Sequence, residues 1–235
     1  MKPTGLLLAT AILIMAFTPE EKNMNRKNVS MYEPVQSYIA HVTQEFDQIP
    51  EARKKALKKL ALFVESKVKA GETAQLVFIC THNSRRSHIS QIWAQTAAAH
   101  YGIPQVISYS GGTEATAFNY RAVKAMEEAG FEISKVKEGE NPVYEVHFAD
   151  GEAPVKAWSK KFADKANPQE NFCAVMTCSE ADKNCPIVPG ASLRVAIPYE
   201  DPKNFDGTPQ EADKYKERVR QIAREIFYTF SLINV

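Results

Sequence analysis

The chain has 235 residues, 44% of them hydrophobic and 24% charged, with 29 lysines and arginines against 28 aspartates and glutamates. That profile suits a globular protein long enough for one good-sized core, so a catalytic domain with a small appendage is expected. A net charge of +1 gives no case for nucleic acid as a partner, and nothing in the composition sets an oligomeric state. The four cysteines, Cys80, Cys173, Cys178 and Cys185, cluster late in the chain, which favours redox chemistry in a reducing compartment, the cytoplasm, over a disulfide scaffold.

Residues 1–30 form an apolar N-terminal segment. The 13-residue run Gly5 to Phe17 suits the core of a signal peptide and is too short for a spanning helix, which needs about 20 residues. Ala16-Phe17-Thr18 followed by Pro19 lacks a clean small-x-small cleavage pair, while Met24 and Met31 offer later starts. A signal-like segment or a start assigned too far upstream are the two expectations, with no other membrane attachment.

Residues 31–71 read as a helical hairpin appendage. Val35, Tyr38, Ile39, Val42 and Phe46 fall at helical spacing. After a break at Ile49-Pro50 a second stripe follows in Leu57, Leu60, Val64 and Val68, closed by Gly71. Lys54, Lys55, Lys58 and Lys59 form a solvated basic face.

Residues 72–235 are the expected catalytic domain, and its anchor is Val77 to Ser87. An apolar strand over Gln75 to Ile79 ends on Cys80, and a helix starts at Arg86 and runs to Tyr101. Between them Thr81, His82, Asn83, Ser84 and Arg85 form a loop whose N–H groups, with the helix N-terminus, can surround a tetrahedral oxyanion. A cysteine placed there is favoured as thiolate, hence as a nucleophile. Arg86 offers a planar fork for two anion oxygens, and Ser87 a hydroxyl for the sulfur. Asn83 is the residue best able to take a left-handed turn without glycine. His82 and Arg85 raise the local positive potential.

Further along, Gln105 to Tyr109 reads as a strand ending in Ser110-Gly111-Gly112. Asn119 caps a helix to Ala129 with Ala122, Val123 and Met126 inward and Gly130 as its stop. Alternation of strands and helices indicates an α/β, doubly wound parallel sheet with the anion site at the carboxyl end of its first strand. Val143 to Lys161, with a turn at Asp150-Gly151, reads as a small hairpin insertion. Phe172 to Thr177 is a buried-type strand, with Cys173 as core packing. It runs into Cys178-Ser179-Glu180-Ala181-Asp182-Lys183-Asn184-Cys185-Pro186. Zinc is excluded on ligand count and spacing, so no metal is expected, and a thiol–disulfide relay fits better. Asp201-Pro202 presents a loop carboxyl suited to protonating a leaving oxygen, with Glu200 ranked below it. Thr208-Pro209-Gln210-Glu211 reads as a capping box for a long final helix striped by Tyr215, Val219, Ile222, Ile226 and Phe230.

Cys80 to Ser87 resembles the C-x5-R-S loop of the low-molecular-weight protein tyrosine phosphatases and of the arsenate reductases on the same fold, and the likeness covers roughly Gln75 to Phe230. It implies a mostly parallel four-stranded sheet. The Cys178-to-Cys185 segment is similar to the resolving pair of the thioredoxin-coupled arsenate reductases, which implies a Cys80, Cys178, Cys185 relay, thioredoxin as external reductant and no bound cofactor. Asp201 matches the family's Asp-Pro general acid. Two features depart from the family pattern: Arg85 stands where members often have a second cysteine, and Lys203-Asn204-Phe205-Asp206 lacks the paired tyrosines of the phosphatases. Arsenate reduction is the leading expectation. Hydrolysis of phosphotyrosine or another phosphate ester by Cys80, Arg86 and Asp201 is the alternative, and a non-catalytic oxyanion-binding module the third.

Overall fold

A computed structural model describes residues 29–185 and 187–235; the expected signal-like run Gly5 to Phe17 lies outside them. Four parallel strands form the main sheet in the order β2-β1-β6-β7. They are β1 (Ala74–Cys80), β2 (Val106–Gly112), β6 (Phe172–Met176) and β7 (Ala191–Ala196). An antiparallel sheet adds β3 (Glu132–Lys137), β4 (Val143–His147) and β5 (Val155–Ala157). The β4–β5 pair matches the expected hairpin insertion. Strand β3 was not legible in the sequence, because Glu132 to Lys137 carries almost no buried side chain and so lacks an apolar alternation.

Helices α1 (Glu33–Thr43) and α2 (Glu51–Lys69) form the hairpin; α3 (Arg86–His100), α4 (Tyr120–Glu128), α5 (Ser179–Asn184) and α6 (Glu211–Ser231) complete the fold. Val35, Ile39 and Val42 of α1 and Leu57, Leu60, Val64 and Val68 of α2 are buried, as their spacing requires. Alternation along β1 splits the interior in two. Leu76 and Phe78 face a large core shared with α1, α2, α3, α4 and α6, whereas Val77 and Ile79 face a smaller cluster beneath α5, which Cys80 joins at the end of the strand. Trp93 of α3 joins the layers: it stacks on Tyr38 of α1 at 5.3 Å and meets Phe131 and Phe227 edge-on. Gly130, at φ 102, ends α4 where an added Cβ would lie 2.6 Å from the backbone N of Val35, so its small size lets α1 approach.

The final helix begins later than its capping signal suggested. Gln210 is the N-cap and makes no side-chain cap bond. Thr208 Oγ1 accepts from Gln210 N at 3.3 Å and donates to the Phe205 carbonyl, and the Glu211 carboxylate accepts from Gly207 N at 2.6 Å and pairs with Arg121 at 2.8 Å. Tyr215, Val219, Ile222, Ile226 and Phe230 are all buried. No helix among the described residues is long and apolar enough to cross a membrane.

Candidate active site

β1 delivers Cys80 at its carboxyl end, and residues 81–85 turn the chain into α3. Asn83 sits at φ 44, the left-handed conformation that a glycine-free turn demands here. Its Nδ2 donates to Ser87 Oγ at 2.8 Å, and its Oδ1 accepts from Lys160 N at 2.8 Å. Ser87 Oγ lies 3.1 Å from Cys80 Sγ. Because the amide N–H occupies a lone pair of the serine oxygen, the serine hydrogen is left to donate to sulfur. The backbone N–H groups of His82, Asn83, Ser84 and Arg85 meet no protein acceptor among the described residues, and the first turn of α3 adds its own. An anion cradle results, with Cys80 3% exposed at its base. Gly112, paired with Cys80, closes one side: a Cβ there would stand 2.7 Å from Asn83 N and 2.2 Å from the Glu114 carbonyl.

Asp201 reaches this cradle through both arginines. Arg85 Nε donates to Oδ1 at 2.7 Å, Arg85 Nη2 to Oδ2 at 3.2 Å, and Arg86 Nη2 to Oδ2 at 2.8 Å. Arg86 Nη1 also donates to the Tyr199 carbonyl at 2.9 Å. Burial pushes the Asp201 carboxyl up, but the Arg85 hydrogen bond and the charges of Arg86 and Arg85 outweigh it and hold the group below its usual range. In this arrangement Asp201 is an ionised partner of the arginines. Arg85 is thus a buried anchor for Asp201 as well as a source of positive potential, while His82 stays at the rim, 3.5 Å from Glu114. Glu200 is exposed and lies 3.9 Å from Arg218, away from Cys80.

The thiols converge by strand register. Ile79 pairs with Met176, and Thr177 N donates to the Ile79 carbonyl at 2.7 Å, so Cys178 leaves β6 beside the Cys80 loop. Thr81 Oγ1 lies 3.4 Å from both Cys178 Sγ and Glu180 Oε2. Cys80 and Cys178 are buried in the smaller apolar cluster, and half-buried Cys185 packs against it. Burial pushes the Cys185 thiol up, and Arg194 opposes that. All four cysteines are free thiols; Cys173 lies in the large core, where burial pushes it up to about 12.

The stretch between Cys178 and Cys185 is the helix α5. Three local causes account for it: Cys178 Sγ caps it by accepting from Ala181 N at 3.3 Å, Glu180 and Asp182 occupy its first turn, and Arg194 ties its end. Arg194 donates to the Asp182 carbonyl at 2.7 Å, to Asp182 Oδ1 at 2.6 Å and to the Cys185 carbonyl at 3.0 Å. A relay through Cys185 would therefore act across this six-residue helix.

Sequence reasoning missed the outer support of the loop. Besides the Lys160 bond to Asn83, Ser159 Oγ donates to the His82 carbonyl at 3.0 Å, and Gly112 N to the Lys160 carbonyl at 2.9 Å. These are mostly main-chain contacts of an irregular segment and leave no residue signature. The large groove of 1010 Å3 lies elsewhere, along α3, β2 and β5, lined by Ile103, Ile107, Tyr109, Val155 and Trp158. The bonded geometry around Cys80, not the size of that groove, marks the candidate site. Among the described residues no three metal-ligating side chains come together.

No protein-family model matches the chain. It is 30% identical over 145 residues to the arsenate reductase of Bacillus licheniformis, which covers 62% of this chain and 86% of that protein. The arsenate reductase of Bacillus subtilis is 30% identical over 149 residues, 63% of this chain and 88% of that one. Among solved structures, the low-molecular-weight protein tyrosine phosphatase of T. tengcongensis is 14% identical, with a TM-score of 0.46, over 68% of this chain and 100% of that one. The chain belongs to the family of the arsenate reductases, and is an enzyme of that family.

Proposed function

We propose that this enzyme reduces arsenate to arsenite with Cys80, Cys178 and Cys185 acting in turn. Thr81 to Arg85 and Arg86 hold the oxyanion, and the Cys80 thiolate attacks arsenic. One As–O bond breaks, and its oxygen leaves as water after protonation. The bound anion displaces Asp201 from Arg86; Asp201 then takes a proton from solvent and hands it to the leaving oxygen. The Cys178 thiolate next attacks Cys80 Sγ, forming an S–S bond. The S–As bond breaks with its electron pair remaining on arsenic, which departs as arsenite. Attack of Cys185 on Cys178 Sγ returns Cys80 as thiolate and leaves a Cys178–Cys185 disulfide. Thioredoxin, acting as external dithiol without a bound cofactor, reduces that disulfide. The presence of four free thiols fits a reducing compartment, and we place the enzyme in the cytoplasm.

The observation that carries this reading is the gathering of Cys80, Cys178 and Cys185 at one apolar cluster, with Thr81, the neighbour of Cys80, in contact with Cys178. Phosphoester hydrolysis would use neither of the last two thiols. The test is arsenate-dependent oxidation of reduced thioredoxin: Cys80→Ser, Cys178→Ser and Cys185→Ser should each abolish it, and Cys173→Ser should not. Hydrolysis of a phosphomonoester that needs only Cys80, with no arsenate-dependent thiol oxidation, would identify a phosphatase instead. An absence of both activities would leave an oxyanion-binding module.

A further inference from the structure

We infer that Arg53, on helix α2, is a positioning residue for the oxyanion site. It belongs to the hairpin that precedes the stretch resembling the family. Arg53 Nε donates to Glu225 Oε2 of α6 at 2.8 Å, and its guanidinium lies 4.7 Å from the centre of the Tyr199 ring. Tyr199 is 5% exposed, and its main chain serves the active site on both sides. Its N donates to the Thr177 carbonyl at 3.0 Å, next to Cys178, and its carbonyl accepts from Arg86. Two residues later the chain presents Asp201. Arg53 thus presses on the ring of the residue that aims the Arg86 fork and leads to the candidate acid.

Docking of the hairpin does not explain Arg53. Leu57, Leu60 and Val64 are fully buried, and Glu45 independently contacts Arg220 and Arg224 of α6. Nor does stability, because a guanidinium paired with a carboxylate that is 2% exposed is often no better than two apolar side chains. What an apolar pair would lack is the cation over the Tyr199 ring, held in place by Glu225.

The inference rests on the reading of Cys80 to Arg86 as an oxyanion site, and the experiment separates the two. Arg53→Met combined with Glu225→Met removes both charges, so no buried ion is left unpaired. Inorganic phosphate affinity is measured by calorimetry, thermal stability in parallel, and KM and kcat for arsenate on the same preparations. The double variant should unfold within a few degrees of the wild type yet bind phosphate about tenfold more weakly, with KM raised similarly and kcat little changed. Arg53→Lys, which keeps a cation near the ring, should recover part of the affinity. Equal phosphate affinity in wild type and folded double variant overturns the role of Arg53 alone. A wild type that binds phosphate without reducing arsenate removes the reductase reading and leaves Arg53 to be judged on binding. A wild type that binds no phosphate overturns both.

Discussion

Replacing Asp201 with asparagine tests the ion-paired arrangement at the site, because it keeps the shape and removes the charge. The carboxylate meets two guanidiniums whose side chains are each 7% exposed, and is itself 18% exposed. Breaking a buried pair costs about 3–5 kcal/mol, and the partial exposure of Asp201 lowers the expectation to about 2–3 kcal/mol. In a protein of this size that lowers Tm by roughly 5–10 °C. Phosphate binding should move the other way: the variant has no carboxylate to displace from Arg86 and should bind about tenfold more tightly, about 1.4 kcal/mol. Phosphate at one hundred times its Kd should then return about 2.7 kcal/mol, so the heat-labile variant is rescued by a ligand that stabilises the wild type less at equal concentration. Turnover with arsenate should fall about 10²-fold or more. The pH dependence has a definite sign. The folded carboxyl lies below its unfolded value of about 3.9, so its contribution is complete above that pH and disappears as pH falls through the folded value. The stability gap between wild type and variant should therefore close in acid. Calorimetry and thermal unfolding with a phosphate titration measure all of this, and phosphate affinity unchanged by Asp201→Asn would refute the competition for Arg86.

Gly112→Ala should drive a methyl into the backbone of Asn83 and Glu114, lowering stability by about 1–3 kcal/mol and costing phosphate affinity; a variant that binds phosphate normally would show that the loop can give way. Burial holds Lys160 down to about 8, against an opposing pull from Asp164, while the unfolded chain keeps that proton to about 10.4. Between those values the unfolded state binds more protons, so stability should rise with pH there and Lys160→Met should flatten the rise; parallel profiles would contradict the burial of that ammonium. Trp93→Ala should cost about 3–5 kcal/mol in denaturant unfolding, since the ring joins α1, α3 and α6, and a loss under 1 kcal/mol would mean the layers do not depend on it.

Much of this is legible in the sequence. The stripes in α1, α2 and α6 identify their buried faces because helical spacing leaves little choice, and the β1–loop–α3 passage follows from an apolar run halted by Cys80 and restarted at Arg86. Asn83 betrays a left-handed turn because the loop has no glycine. The failures have equally local causes. Strand β3 is held by its antiparallel partner rather than by burial, so Glu132 to Lys137 shows no pattern. Helix α5 depends on a cysteine cap and on Arg194, which lies 9 residues beyond Cys185 in sequence. Neither the meeting of Arg85 with Asp201 nor that of Arg53 with Tyr199 is readable from spacing, because each joins residues more than a hundred positions apart.

The central claim is that Cys178 resolves a Cys80 adduct. Its most direct test is a single turnover of reduced Cys185→Ser protein with arsenate, quenched with acid and alkylating agent and mapped by mass spectrometry. The account predicts a Cys80–Cys178 disulfide formed in step with one equivalent of arsenite. Arsenite released while Cys178 remains alkylatable, or a disulfide that omits Cys80, would contradict it.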